Sequence, residues 1–318
     1  MSVAAGWLGS CWLMLAAAPL AEPPAALLGD SRIEWSELQS HVAEAAGGQI
    51  LEEIVLGRAL KQVAAARGVK IEQTAIDLER GMLTGALARA AGVPESDGAA
   101  LLERVRTNRG LGPERFAALL ERNAMLRALV RAESGSGGGT AGDVTRVSDE
   151  DLREAYALKY GMKIRTRLIL VRSEKAAQEA VGRLAGGESF AEVAAQISVD
   201  PSAAVGGLLD PFSPADPNYP AAVRKVASEL GQGKVSPPIG VSWGGNQGYA
   251  LLKVEERIEP PATAPTLEAV AEELRAEVRL VRERAAMDRL ARRLIAESKV
   301  TVFDRSLGWS WEKRSEAR

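Results

Sequence analysis

The chain has 318 residues, room for two modest domains with cores of their own, and a formal net charge of −2 from 40 basic and 42 acidic side chains. That balance supplies no basic surface for nucleic acid, and six Trp, four Tyr and four Phe are too few for base-stacking platforms. One cysteine (Cys11) and one histidine (His41) exclude a His/Cys metal cluster, a disulfide framework and any catalysis needing two histidines; no metal or cofactor is implied.

From Ser2 to Ala21 there is no charged residue. The apolar stretch Trp7 to Leu20, with Ala16-Ala17-Ala18 and Ala21 behind it, fits the short hydrophobic region and small-residue cleavage site of an export signal. It departs from one in having no Lys or Arg before Arg32 and in placing Pro19 close to the cut. An uncleaved anchor and an ordinary buried Ala-rich segment are the other readings, since about 20 apolar residues can span a bilayer. Leu8-Gly9-Ser10-Cys11 has the form of a lipoprotein acylation box but comes too early, with the apolar run continuing through Trp12 and Leu15. Residues 1–21 are therefore expected to be a signal peptide or an anchor, and the protein to be exported to a periplasm or cell envelope, touching a membrane only if the segment stays uncleaved.

Residues 30–133 read as a helical module. Ile33 to Leu38 predicts a short strand leading to a helix capped by Ser36. Leu51, Ile54, Val55, Ala59 and Val63 form a helical stripe ended by Arg67-Gly68; further helices are expected from Ile71 through Met82, over Gly98 to Arg106, and from Pro113 to Arg131 with Phe116, Leu119, Leu120, Leu126 and Leu129 inward. His41, near the first helix, reads as an ordinary surface or partly buried residue. Residues 134–143 are a Gly/Ser linker by composition; lacking a preceding apolar strand and a following Gly-Lys-Ser/Thr, they are not a phosphate-binding loop. Ser148 then caps a connecting helix within residues 144–161 whose first turn is acidic, as the helix dipole prefers.

Residues 162–258 read as a compact α+β unit. Leu168-Ile169-Leu170-Val171 predicts a buried strand, Ser173 and Ser189 cap two amphipathic helices, and an irregular loop runs from Asp200 to Gly207. A short helix near Ala221 to Leu230 follows, and the last strand, Gly248 to Val254, arrives after a Gly244-Gly245-Asn246 turn. Beyond Pro260-Pro261, residues 262–298 predict a long helix with the stripe Leu267, Val270, Leu274, Val278 and Val281, resumed by Leu290 and Leu294, and with Arg279/Glu283, Arg284/Asp288 and Arg293/Glu297 pairing on a solvated face. Such a helix needs a partner for its apolar side, and the N-terminal helices are the natural one. Residues 299–318 are expected to be a short strand, Lys299 to Asp304, and a tail whose Trp309-Ser310-Trp311 has no assigned role.

Five blocks in the central unit carry a family resemblance: Ile164 to Val171, Gly187 to Ala194, the Ser198 to Gly207 loop with its Gly-Gly end, Leu230 to Pro238, and Gly248 to Val254. In order and spacing they resemble the parvulin-type (PpiC-like) peptidyl-prolyl isomerases, and the flanking helices resemble the layout of the exported SurA- and PrsA-type chaperones. The resemblance implies an α+β fold: a parvulin-like domain, a small sheet with surrounding helices, inserted in an all-helical module built from the N- and C-terminal segments. It further implies a proline-binding surface at Leu168, Phe212, Tyr219, Val223 and Ala250, with Asp200 matching the acidic or thiol residue of the family's active-site loop.

The departures fall on that same surface. Where parvulins usually carry histidines, in the first strand and after the Gly-Tyr of the last, this chain has Leu168 and Ala250, and Leu208-Leu209-Asp210 replaces the Asp-Leu-Gly after the Gly-Gly. Asp200 is equally readable as a turn-forming Asp-Pro. The expectation is a folding factor that binds unfolded or extended, proline-containing polypeptide through the helical module and a degenerate parvulin-like domain, with weak or absent isomerase activity. An active isomerase and a structural protein-interaction component are the alternatives.

Overall fold

A computed structural model describes residues 23–135, 143–144, 146–243 and 246–316. The apolar N-terminal segment to residue 21, most of the Gly/Ser linker and the tip of the Gly244-Gly245 turn lie outside the described residues. Among the described residues no helix is long and apolar enough to cross a membrane. The chain divides into two compact units, one of Met1–Val63 with Arg293–Arg318, the other Ala64–Arg292.

In the first unit, β1 (Ala26–Leu28) and β2 (Ser31–Ile33) pair antiparallel about Gly29. Helix α1 (Trp35–Val42) passes through a π-helical turn (Ala43–Gly47) into α2 (Gly48–Ala66). The expected cap at Ser36 is corrected. β2 ends at Ile33, and Glu34 and Glu37 close a reciprocal capping box, the Glu37 carboxylate accepting from the Glu34 N–H at 3.0 Å. The expected strand Lys299–Asp304 is also corrected: residues 299–303 take no regular structure. A strand needs a partner for its backbone groups, and none of the sheets recruits this segment. Asp304 instead caps α11 (Arg305–Glu316), its carboxylate accepting from the Leu307 N–H at 2.8 Å.

Helix α11 lies along the π-helical turn and the start of α2. Ser306 donates to Glu44 (3.0 Å), the Gly48 N–H to Ser310 Oγ (2.9 Å) and Arg314 to Glu52 (2.7 Å), one contact per turn on each helix. The tryptophans without an assigned role thus sit on a docked helix, Trp309 remaining 55% exposed. At Gly48 a Cβ would collide with the Ser310 main chain. Gly48→Ala is expected to cost this docking about 1–3 kcal/mol, outweighing a helix-propensity gain of about 1 kcal/mol because the obstacle is backbone. Faster cleavage within α11 under limited proteolysis, with the 64–292 unit unaffected, is the expected reading.

The second unit contains α3 (Gln73–Ala91), α4 (Gly98–Asn108), α5 (Pro113–Gly135), α6 (Asp149–Tyr160), α7 (Glu174–Ala185), α8 (Phe190–Ile197), α9 (Ala221–Glu229) and most of α10 (Leu267–Glu297). Its sheet has strands β3 (Lys163–Val171), β4 (Ile239–Trp243) and β5 (Asn246–Ile258), antiparallel in the order β3-β5-β4, so the α+β class is observed. Period-two alternation fixes the faces. Ile164, Leu168, Leu170, Ala250, Leu252 and Val254 pack with Val223 and Ala227 of α9 on one side. Ile169, Val171 and Leu251 pack with Ala177 and Ala180 of α7 and Phe190, Val193 and Ala194 of α8 on the other. Ser148, Ser173 and Ser189 cap α6, α7 and α8 as expected.

Helix α10 departs from its expected pattern. Val270 and Leu274 are buried against Leu152 of α6, but Val281 is 69% exposed. Glu283, expected on a solvated face with Arg279, is buried: it accepts from Arg127 and, at 2.5 Å, from Arg131 of α5. Arg127 also grips Glu79 of α3, Nη2 to Oε2 at 3.2 Å. A spacing rule within one helix cannot see an arginine delivered by another.

Candidate functional site

The surface named by the sequence is built on β3 and β5. After α8 the chain runs back along the outer edge of β3. The Leu168 N–H donates to the Gly207 carbonyl (2.8 Å), the Leu209 N–H to that of Thr166 (2.9 Å), and Ile164 and Phe212 exchange both bonds (2.8 and 3.1 Å). The approach is close enough to require the Gly-Gly: Gly206 and Gly207 both have positive φ (66° and 76°), and a Cβ at Gly207 would collide with the Leu168 carbonyl. Arg167 holds the loop end, donating to the Gly206 carbonyl at 2.8 Å while paired with Glu255 at 2.9 Å.

This edge carries Phe212 onto the sheet face that holds Leu168 and Ala250. Leu168, Phe212, Val223 and Ala250 join one cluster, with Tyr219 packed half-buried against it. Leu168, Val223 and Ala250 are fully buried and Phe212 nearly so; they form the floor under a ligand surface rather than the surface itself. The accessible layer is aromatic. Tyr219 stacks on Phe212 with ring centres 4.0 Å apart and 17° between planes, and meets Trp243 edge-on at 5.7 Å and 66°. Trp243 escaped the sequence reading. Ile239, Val241 and Trp243 alternate on one face of β4, and that period was the available signal.

Asp200 is half-buried as N-cap of the 3₁₀ turn Pro201–Val205, accepting from the Ser202 N–H at 2.9 Å: the turn-forming geometry is present. Its charge also reaches the aromatic layer. Burial first, then the carboxylates of Asp216, Asp210 and Asp200, push the Tyr219 hydroxyl pKa up, so the phenol stays protonated and available as a donor. Beneath, the fully buried Thr166 Oγ1 has no hydrogen-bond partner, and strand alternation places it between Ile164 and Leu168. Buried Ser236 pins the approach to β4, its N–H donating to the Leu252 carbonyl (2.8 Å) and its Oγ accepting from the Leu252 N–H (2.9 Å).

The site therefore presents the half-buried rings of Tyr219 and Trp243, with the carboxylates of Asp216, Asp210 and Asp200 acting on the Tyr219 hydroxyl. It has no imidazole: the one histidine of the chain, His41, is exposed on α1 in the other unit. That unit has an apolar groove of its own, about 450 Å³, walled by Trp35, Leu38, Val42, Ile50, Ile54 and Leu307.

Residues 147–272 match the family model described as the PPIC-type PPIASE domain. The foldase protein PrsA of Geobacillus sp. (strain WCH70) is 33% identical over 164 residues, covering 51% of this chain and 55% of that protein. PrsA of Clostridium botulinum (strain Hall) is 28% identical over 169 residues, covering 51% and 48%. The chain thus spans about half the length of the curated relatives it matches. Among solved structures, the peptidylprolyl isomerase PrsA from Bacillus anthracis aligns over 80% of this chain and all of that one at 19% identity, with a TM-score of 0.45.

Proposed function

Because residues 147–272 are a parvulin-type domain of the PPIC class, we propose that the protein is an exported folding factor that binds extended, proline-containing stretches of unfolded polypeptide and isomerises them weakly or not at all. The supporting observation is the aromatic surface of Tyr219 and Trp243 lying on a floor of Phe212, Leu168 and Ala250, the last two at the positions where the family usually has histidines. In this reading the helical segments from both ends of the chain carry the domain, and the groove beside Trp35 supplies further affinity for apolar client segments.

The barrier to prolyl isomerisation, about 18–20 kcal/mol, comes from amide resonance, so catalysis requires no nucleophile. It requires stronger binding of the twisted amide than of either planar isomer. A ring clamped on Tyr219 binds all three comparably. Groups that hydrogen-bond the deconjugated carbonyl or nitrogen would discriminate, and a leucine and an alanine offer none. Asp200 favours the alternative of an active isomerase, since its carboxylate lies near enough to act on Tyr219.

Tyr219→Ala is expected to weaken binding of a proline tetrapeptide to the full chain by about tenfold, one stacked aromatic being worth about 1.4 kcal/mol. Titration followed by tryptophan fluorescence reads it. An unchanged affinity would remove the aromatic layer from the account.

A further inference from the structure

The negative charge around Tyr219 has no counterpart in the chain. Asp216, Asp210 and Asp200 all act on its hydroxyl, and none of the three has an ion-pair partner among the described residues. The arginines bonded to the same loops are spent elsewhere. Arg224 gives its donors to the carbonyls of Tyr219 and Pro214, each at 3.1 Å. Arg167 pairs with Glu255 at 2.9 Å and donates to the Gly206 carbonyl at 2.8 Å.

Local structure accounts for only part of this. Asp200 and Asp216 each accept from the N–H two residues on, at Ser202 and Asn218, both at 2.9 Å. Asn holds such turns as well, without a charge, and like charges gathered on one surface oppose each other's ionisation. Asp210 holds no turn: it is exposed, and its carboxylate makes no hydrogen bond among the described residues.

Asp210 stands two residues before Phe212, where the edge segment runs along β3. Ile164 and Phe212 exchange both backbone bonds and the Leu209 N–H donates to the Thr166 carbonyl, so Leu209 and Asp210 lie across from Thr166. The Thr166 hydroxyl is a second, independent polar group on that floor, fully buried and without a partner. A threonine hydroxyl turns about a single bond, which makes it a donor in reserve for a carboxylate that a client shields from water. Above them, the half-buried rings of Tyr219 and Trp243 suit a cation as well as a prolyl ring, because an aromatic face attracts positive charge.

We propose that the prolyl site selects clients whose proline is flanked by lysine or arginine, with Asp210 and the turn carboxylates Asp200 and Asp216 receiving the cation beside the ring. The inference rests on the prolyl reading above and adds a sequence specificity to it. A long basic side chain meets both demands of the surface, its stem lying on the aromatics while its charged end reaches the carboxylates.

Three peptides blocked at both ends test it on the full chain, with one proline between two lysines, two methionines or two glutamates. Methionine is unbranched, as lysine is, but carries no charge. Tryptophan fluorescence is expected to show the lysine peptide binding about fivefold more tightly than the methionine peptide, the scale of an exposed ion pair, with the glutamate peptide weakest and the advantage fading in high salt. Asp210→Asn, at an exposed position, and Thr166→Val, which keeps the shape of the side chain, are each expected to cut the ratio to about twofold or less. Neither is expected to lower the melting temperature. Equal binding of all three peptides overturns the specificity and leaves the prolyl reading standing. A lysine preference that Asp210→Asn or Thr166→Val leaves at its parent value also overturns it. If none of the three peptides binds, the prolyl reading falls and takes this inference with it.

Discussion

Arg127→Ala is expected to destabilise the 64–292 unit by about 3–5 kcal/mol, the usual cost of removing one partner from a buried ion pair. Arg127 and Glu79 are 6% and 3% exposed, and Glu283 7%. Burial opposes the charge on Arg127, but its bonds to Glu79 and the fields of Glu79 and Glu283 outweigh this and raise the guanidinium pKa further. Without it Glu79 is left buried with no ion-pair partner, while Glu283 keeps only Arg131. Thermal or urea unfolding of the full chain followed by circular dichroism measures the loss. Arg131→Ala is the control: its side chain is 56% exposed, and exposed pairs are worth about 1 kcal/mol or less. Equal effects of the two substitutions would contradict a buried clamp joining α3, α5 and α10.

Restoring the family's histidines is expected to harm the fold without restoring catalysis. Leu168 lies opposite Leu252 on β5, and Ala250 lies between Leu170 on β3 and Ile239 on β4; both side chains are fully buried. Leu168→His with Ala250→His therefore overpacks the second site and buries two imidazoles among hydrocarbons. Overpacking costs about 1–3 kcal/mol and an unsatisfied buried polar group about as much, so the pair is expected to lose about 3–5 kcal/mol. Melting temperature reads the loss, and proline-peptide exchange reads activity. A double variant as stable as the parent and active on peptide would show that the floor still has space for a catalytic network.

The parts of this fold governed by neighbours in sequence were legible. The serine caps of α6, α7 and α8 and the apolar run of β3 each follow from local geometry, and the structure has them where the residues put them; the Gly-Gly loop end was legible through the resemblance, its reason being the close approach to β3. Clustering of Leu168, Phe212, Tyr219, Val223 and Ala250 was legible through the resemblance, although their burial was not, because a single strand does not reveal how completely α9 covers it. What failed depends on distant partners. Glu283 fits a surface pairing rule until α5 supplies Arg127, and Lys299 to Asp304 has strand composition but no strand beside it. Trp243 was missed because its role comes from an edge contact with Tyr219, more than twenty residues away.

Exchange of a proline tetrapeptide between cis and trans, followed by NMR in the presence of the full chain, bears most directly on the proposed function. A binder without catalysis shows resonance shifts that Tyr219→Ala suppresses, with interconversion as slow as in free peptide, tens of seconds or longer at 25 °C. Catalytic amounts of the chain bringing exchange into the sub-second range would contradict it, and would assign Asp200 and the Tyr219 hydroxyl a role in twisting the amide.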